Sequence, residues 1–309
     1  MLTDLSIPMT VSGTRLDKIL ALAHPNVSRK AIIRAFNAGH VTIDGRTAHK
    51  SWHATEGKVI RIAQLEEMED LVARTVEAPL KVIYESDEFL AFDKPAGQDC
   101  SPVQPDEADT LVNAMLARYP ELATIGGNPM IPALLHRLDG GTSGVVLAAR
   151  TEEMHKGVRE LFAAQQIEKR YCAIVEGVVT APGGVTGHLA HHRKKAGKMR
   201  VVGPQATGAM RTFFAETFYE PFRAYPDHTL LGIVIRTGVT HQIRCQLASI
   251  GHPIVGDILY GANPTPLAPS SRFFLHAYSV SLTPPGASEP LRVTAPLPDD
   301  FKAALEALA

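Results

Sequence analysis

Cysteine and tryptophan are scarce in this 309-residue sequence, with three of the former and one of the latter, and aromatic residues make up only 6%. The cysteines stand at 100, 172 and 245, odd in number and more than seventy residues apart. They form neither a disulfide framework nor a paired zinc-ligand pattern, which suits a reducing compartment. Long apolar runs are missing too: stretches such as 145–149 and 233–235 are far too short to span a bilayer. The first residues hold no basic segment followed by an apolar one, so no secretory leader is expected. No Gly-rich nucleotide fingerprint occurs, and no metal site is expected. Net charge is also lacking, with 31 Lys and Arg against 32 Asp and Glu, a balance of −1. Taken alone, that balance argues weakly against a nucleic-acid partner. What is present is a hydrophobic fraction of 45%, enough for a sizeable core, which excludes a wholly disordered chain. A cytoplasmic protein of about two domains is expected, without a membrane association. Nothing in the sequence demands an oligomer, so a monomer is expected.

The neutral total conceals a segregated charge distribution. Residues 13–62 carry nine Lys and Arg and three acids, a net of +6, and residues 167–211 carry eight and two, again +6. Between them, residues 63–79 come to −4 and residues 80–130 to −6. The division predicts a small N-terminal domain over 13–62, an acidic linker over 63–79 and a larger domain over 80–309. In the small domain Leu16, Ile19 and Leu20 suit one face of a short helix closed by Pro25. Ser28 can cap a second helix over 29–38, with Ile32, Ile33 and Phe36 on one side and Lys30 and Arg34 pointing away. A strand at 41–43, a tight turn at Asp44-Gly45 and a strand at 59–62 complete the module. Its basic helix face, with Arg29, Lys30 and Arg34, suits either an RNA clamp or a solvated surface.

In the larger domain, strands are expected at 81–84, 89–92, 144–149, 171–175, 212–218 and 230–235. Helices are expected at 110–119, 152–165, 241–250 and 301–308. They do not alternate regularly, which favours an α+β fold with a mixed or antiparallel sheet over a doubly wound parallel one.

Four segments could carry chemistry. In 136–150, HRLDGGTSGVVLAAR, polar and glycine residues interrupt apolar runs, so Asp139 sits either on a tight loop at a cleft or in a turn that satisfies its own backbone. In 236–261 Thr240 can cap a helix with the stripe Ile243, Leu247 and Ile250, ended by Gly251. Arg244 lies at the edge of that stripe, and the helix start with His241 and Gln242 could receive a phosphate; an amphipathic helix with a solvated Arg fits as well. In 167–177 Tyr171 alternates with Ala173 and Val175, the pattern of a core residue. The stretch 188–202 holds Arg193, Lys194, Lys195, Lys198 and Arg200 with three histidines and no acid, a basic loop for RNA or a solvated one. Zinc at His188, His191 and His192 lacks a complementary Cys or carboxylate.

Together these segments resemble the RluA-type pseudouridine synthases. The resemblance rests on HRLDxxTSG at 136–144, K-x-Y at 169–171, THQIR at 240–244, GHPIVGD at 251–257 and LHA at 275–277. DKPAG at 93–97 and the RKKAGKMRVV stretch also fit, and the match runs in chain order from about residue 80 to the end. Residues 13–62 resemble the alpha-L RNA-binding domain of a small-subunit ribosomal protein. The resemblance implies an RNA isomerase that needs no cofactor, because turning uridine into pseudouridine is redox-neutral and loses no atoms. It implies that Asp139 is the essential carboxylate, acting on the sugar carbon or on a sugar proton. Tyr171 would lie against the flipped uracil, and Arg244 would pair with Asp139 and keep it ionised. RNA, ribosomal rather than transfer, would be held by Arg29, Lys30, Arg34, Arg137, Arg193, Lys194, Lys195, Lys198, His241 and Gln242.

The sequence departs from the family at Val239, where Arg is usual, at Gly140-Gly141 in place of charged residues, and at Ser101 in place of His. Other readings are an RNA-binding assembly factor without catalysis, a tRNA-directed enzyme and, more distantly, a nucleosidase. The last would want two carboxylates across the sugar. Asp257, next to Gly256, reads instead as a turn cap.

Overall fold

The computed structural model describes residues 3–6, 12–24, 27, 29–65, 73–104, 106–192, 195, 197–203, 211–268 and 272–309. They divide into two units, Met1–Ala73 with Asn128–Met130 and Arg74–Gly127 with Ile131–Ala309. The division after residue 73 falls inside the acidic run 63–79, of which residues 66–72 lie outside the described residues, as do Pro25 and Ser28.

In the first unit β1 (Thr3–Ser6), α1 (Leu16–Ala23), α2 (Arg29–Asn37), β2 (Val41–Ile43), β3 (Arg46–Thr47) and β4 (Val59–Ile62) form a sheet in the order β1-β4-β2-β3 beside two helices. Asp44 and Gly45, at φ 49° and 76°, make the two-residue turn between β2 and β3. Both residues need positive φ in a turn that matches strand twist, which is why the Asp-Gly pair signals it. Leu16, Leu20, Ile32, Phe36, Val41 and Ile60 are buried in one core. On α2 the buried face is Ala31, Ile32, Ala35 and Phe36, so Ile33 lies beside the core stripe rather than in it.

The second unit is built on β5 (Val82–Glu85), β6 (Phe89–Lys94), β7 (Ser143–Ala149), β8 (Glu168–Glu176), β9 (Gly183–His191), β10 (Met199–Val202), β11 (Phe213–Ala224), β12 (His228–Ile235), β13 (Leu275–Leu282) and β14 (Leu291–Thr294). Among the described residues they form a ten-stranded sheet in the order β10-β9-β11-β12-β8-β13-β7-β6-β5, with β14 on β13. Every pairing is antiparallel except β13 with β7, so the fold is α+β with a mixed sheet. Four helices accompany it: α3 (Leu111–Arg118), α4 (Glu152–Ala163), α5 (Gln242–Ser249) and α6 (Asp299–Ala307). Thr110 and Asn113 close a capping box on α3, and Thr151 caps α4 through Met154 N–H at 3.1 Å. The stretch after the unit boundary is pinned to α3, with Asn113 Nδ2 donating to Arg74 O at 2.7 Å.

Strand β8 organises the core because its side chains alternate between faces. Tyr171, Ala173 and Val175 pack with Ile243 and Leu247 of α5, while Ile174 packs on the other face with Phe274 and with Phe301 and Ala304 of α6. The stretch 188–202 is a hairpin rather than a loop, with His188–His191 in β9 paired to Met199–Val202 in β10. Strands β9, β13 and β14 were not expected: β9 is rich in glycine and half exposed, and short polar alternations in the other two give little periodic signal.

Candidate active site

The loop that carries Asp139 is fastened from several directions. Thr142 N–H donates to Asp139 O at 2.9 Å, closing a turn. Gly140 O accepts from Gly97 N–H at 2.8 Å and from Lys94 Nζ at 3.2 Å, and Gly141 O accepts from Arg272 Nη1 at 3.1 Å. Upstream, His136 Nε2 accepts from Leu147 N–H at 3.1 Å. Enclosure, helped by Lys169 and Arg159, pushes this imidazole down to about 3, so it stays a neutral acceptor. Downstream, Ser143 Oγ lies 2.9 Å from His276 Nδ1, and His276 Nε2 lies 3.2 Å from Ala295 O. A carbonyl only accepts, so Nε2 carries the proton and Ser143 donates to Nδ1. Gly144 has φ 115°, and a Cβ there would stand 2.2 Å from Ala277 O, its partner in the parallel pairing with β13. Only glycine fits where the loop enters the sheet.

Asp139 Oδ2 accepts from Arg244 Nη1 at 2.9 Å, with the carboxylate side chain 26% exposed and the arginine 8%. The other edge of the guanidinium is gripped by Asp257, with Nε to Oδ2 at 2.6 Å and Nη2 to Oδ1 at 2.9 Å. Its plane lies over Phe273, 4.1 Å from the ring centroid. Burial opposes the charge, but Asp257 and then Asp139 outweigh it and hold Arg244 above its ordinary pKa. A planar fork with donors on two edges can hold one carboxylate rigidly and aim at another, which a lysine cannot do. Asp257 stands at the N-cap position of the short 3-10 turn Ile258–Tyr260, as the sequence suggested, but its carboxylate, 1% exposed, is spent on anchoring the arginine and not on the cap.

Tyr171 is 8% exposed and lies in the cluster that Leu138, the residue before Asp139, packs against. Burial, reinforced by the Asp139 charge, raises its phenol well above the ordinary value, so it remains protonated at neutral pH. Lys169, two residues earlier on the same strand face, donates to Thr237 O at 2.8 Å, and burial lowers it to about 8. Lys94 is fully buried, donating to Pro95 O at 2.7 Å and Gln98 O at 2.6 Å besides Gly140 O; burial again brings it to about 8.

The structure brings Asp139, Tyr171 and Arg244 near one another and departs from the expected helix around α5. That helix starts at Gln242, not at a Thr240 cap, because His241 is its N-cap in the left-handed region at φ 53°. Ile250 is 39% exposed and drops out of the expected stripe. Gln242 is 3% exposed, and its amide is saturated by Thr237, Val239, Glu216 and Thr217, which corrects its expected contact with RNA. His241 turns toward Asp139, with Nε2 3.9 Å from Oδ2. Val239, where the family has Arg, is half-buried against the cluster of Leu189, Met199 and Tyr260. Arg29, Lys30, Arg137 and Lys195 are exposed, and Lys198 and Arg34 are half-buried. Arg193 and Lys194 lie outside the described residues.

Lys94, Asp257, Tyr260 and Arg272 were missed as members of the site; each reaches it across a chain separation that no local pattern encodes. Among the described residues no cluster of three or more His, Cys, Asp or Glu is placed to hold a metal, and no helix is long and apolar enough to cross a membrane.

A family described as RNA pseudouridylate synthase matches residues 88–249. The chain is 32% identical to the ribosomal large subunit pseudouridine synthase D of Xanthomonas campestris, over 98% of this chain and 91% of that one. It is 36% identical to an uncharacterized RNA pseudouridine synthase of Chloroflexus aurantiacus, over 98% and 92%. Among solved structures, human RNA pseudouridylate synthase domain containing 1 is similar in fold, with a TM-score of 0.58 and 22% identity, over 73% of this chain and 87% of that one.

Proposed function

The chain belongs to the RNA pseudouridylate synthase family and is an RNA pseudouridine synthase; from that premise we propose that it isomerises uridines of large-subunit ribosomal RNA, with Asp139 as its essential carboxylate. The observation that carries the reading is the Asp139–Arg244–Asp257 array, whose Asp139 charge is felt by Tyr171. The array's contacts are 2.9 Å to the first carboxylate and 2.6 and 2.9 Å to the second. Only one of the two carboxylates is reachable from solvent. That suits a reaction in which the base is detached and rejoined to the same sugar, rather than a hydrolysis that needs two working carboxylates across the bond.

In the reaction the N1–C1′ bond breaks, a C5–C1′ bond forms, the C5 proton leaves and N1 gains one, so atoms and electrons balance without a cofactor. Asp139, held through Oδ2 by Arg244, works at the sugar with Oδ1. Tyr171 stacks against the detached uracil and holds it against reattachment at N1, while its phenol, kept protonated by burial, takes no part as a base. A uridine in structured RNA must leave its stack to reach this depth. The RNA around it is held by Arg29, Lys30 and Arg34 on the N-terminal unit, which we read as an alpha-L RNA-binding domain over 13–62 joined by the 63–79 run to a catalytic domain over 80–309. Arg137, Lys195 and Lys198, with Arg193 and Lys194, hold it on the catalytic domain. The ribosomal assignment follows the Xanthomonas relative, whose name specifies the large subunit. We read the enzyme as a cytoplasmic monomer.

The test is pseudouridine mapping of total RNA from cells with and without the protein, repeated with Asp139→Asn. The expected result is loss of one or more large-subunit sites in the deletion and no rescue by Asp139→Asn, whose RNA affinity stays within a few-fold of wild type. Sites found only in transfer RNA would move the substrate assignment. A turning-over Asp139→Asn enzyme would refute the role of the carboxylate.

A further inference from the structure

Arg244 in the first turn of α5 bonds Asp139 Oδ2, and His241, the N-cap of that helix, faces the same oxygen; each is braced from behind by the turn that follows Gly256. Arg244 is gripped by Asp257, as described above. Three residues before Arg244 stands His241, and three residues after Asp257 stands Tyr260. The His241 Nδ1 to Tyr260 OH distance is 3.0 Å, with the rings edge to face at 5.7 Å and 84°. The phenol in turn accepts Met199 N–H of β10 at 2.8 Å, and Lys198 Nζ lies 5.0 Å from the ring centroid and donates to Leu259 O at 2.5 Å. Tyr260 is only 8% exposed, so its hydroxyl has few other partners.

We propose that His241, oriented by Tyr260, is a positioning residue for the Asp139 carboxylate. The proposal rests on the reading of Asp139 given above and extends it. With one lone pair of the Tyr260 oxygen taken by Met199, its O–H donates to Nδ1, which leaves the proton of the neutral imidazole on Nε2. That N–H faces Asp139 Oδ2 across 3.9 Å, just beyond hydrogen-bond range. The opposite tautomer would turn a bare nitrogen lone pair toward a carboxylate. Closing the gap by about 1 Å as substrate packs into the site gives Oδ2 a second donor beside Arg244 and directs Oδ1 at the sugar.

Backbone geometry supports the assignment. His241 keeps a left-handed conformation, φ 53°, that a non-glycine residue adopts at a cost of about 1–3 kcal/mol. Such strain persists where the surroundings dictate a side chain's direction. The groups that face His241 are Asp139, Arg244, Asp257, His191 and Tyr260. Burial lowers its pKa, with the Asp139 charge as the largest opposing influence, so the working form is neutral.

The experiment compares single-turnover rates and RNA affinity for wild type, His241→Gly, His241→Gln and Tyr260→Phe on an RNA in which the wild type forms pseudouridine. Asp139→Asn serves as the inactive reference. Glycine relieves the strain at 241, so His241→Gly folds while lacking the imidazole. Its rate is expected to fall about 10- to 100-fold with affinity within about 3-fold of wild type. His241→Gln, which returns an N–H near the Nε2 position, recovers part of the loss. Tyr260→Phe, which removes the donor that fixes the imidazole tautomer, is expected to slow the reaction in the same sense by a smaller factor. Wild-type rates in both His241→Gly and Tyr260→Phe would overturn the proposal alone. Activity in Asp139→Asn would overturn the reading of the site on which it rests.

Discussion

Arg244 and Lys94 are both buried cations beside the loop of Asp139, and they are held in opposite ways. Arg244 lies between two carboxylates, which keep it charged above its ordinary pKa despite burial. Lys94 lies in a cage of three backbone carbonyls, of Pro95, Gln98 and Gly140, and burial brings it down to about 8. Carbonyl dipoles satisfy the donors of an ammonium but replace only part of its lost hydration, whereas a carboxylate supplies a full opposite charge. The arginine side is therefore built to keep its charge pattern across the working pH range, and the lysine side to tie two loops together with a proton that comes off near the alkaline edge.

The largest effect expected from breaking this contrast comes at Arg244. Arg244→Ala leaves Asp257, 1% exposed, as a buried carboxylate without its partner, and frees Asp139 from its only charged hydrogen bond among the described contacts. A loss of about 3–5 kcal/mol in urea unfolding is expected, together with a rate reduction of about 100-fold or more. The double variant Arg244→Met with Asp257→Leu separates the two losses. It is expected to regain much of the stability, since an apolar pair can replace a buried ion pair, and none of the activity. If the double variant regained activity as well, the array would be scaffolding only.

Next in size is the alkaline behaviour of the lysine side. Lys94 and Lys169 are each brought from 10.5 to about 8 in the folded protein. Between about 8 and 10.5 the unfolded chain binds more protons than the native one, so these two groups make stability rise with pH across that window. Below about 8 both states are protonated and the full cost of burying the charge is present. The urea midpoint of wild type is thus expected to gain over this window relative to Lys94→Met, in which roughly half of the pH-dependent gain is removed. Activity should move the other way. A neutral amine has two donors for three carbonyls, and the longest contact, to Gly140 O at 3.2 Å, is the one to be released. A stability that stays flat from pH 8 to 10.5 in the wild type would show that Lys94 and Lys169 keep their protons.

The contrast also explains what the sequence could and could not disclose. Asp139, Tyr171 and Arg244 sit in short motifs whose residue types are tied to one reaction, and the resemblance brought them into one site before any contact was known. Asp257 lies thirteen residues beyond Arg244 in a stretch that reads as a turn, and its bidentate grip depends on how the chain returns after α5. Lys94 looked like part of a proline-glycine loop motif; its cage closes only because β6 and β7 are neighbours in the sheet. The antiparallel and mixed character was legible because strands and helices failed to alternate. Strands β9 and β10 were not, because a charged, glycine-rich hairpin has the composition of a loop.

The smallest expected effect lies at Gly140, whose carbonyl belongs to the lysine cage and whose missing side chain marks a departure from the family. A Cβ there would stand 2.7 Å from Asp99 Oδ1. Asp99 is exposed and its carboxylate is the far end of a side chain that can swing into solvent. Gly140→Ala is therefore expected to cost less than about 1 kcal/mol and to leave the rate within a few-fold. The same substitution at Gly144, four residues on, meets the Ala277 carbonyl at 2.2 Å with φ at 115°, where neither the sheet nor the backbone can give. Measuring both by urea unfolding and single-turnover rate asks whether the loop is held by its backbone bonds or by the shape of its glycines. A Gly140→Ala variant as damaged as Gly144→Ala would mean that the carbonyl cage tolerates no displacement, and that Lys94 matters to Asp139 as much as Arg244 does.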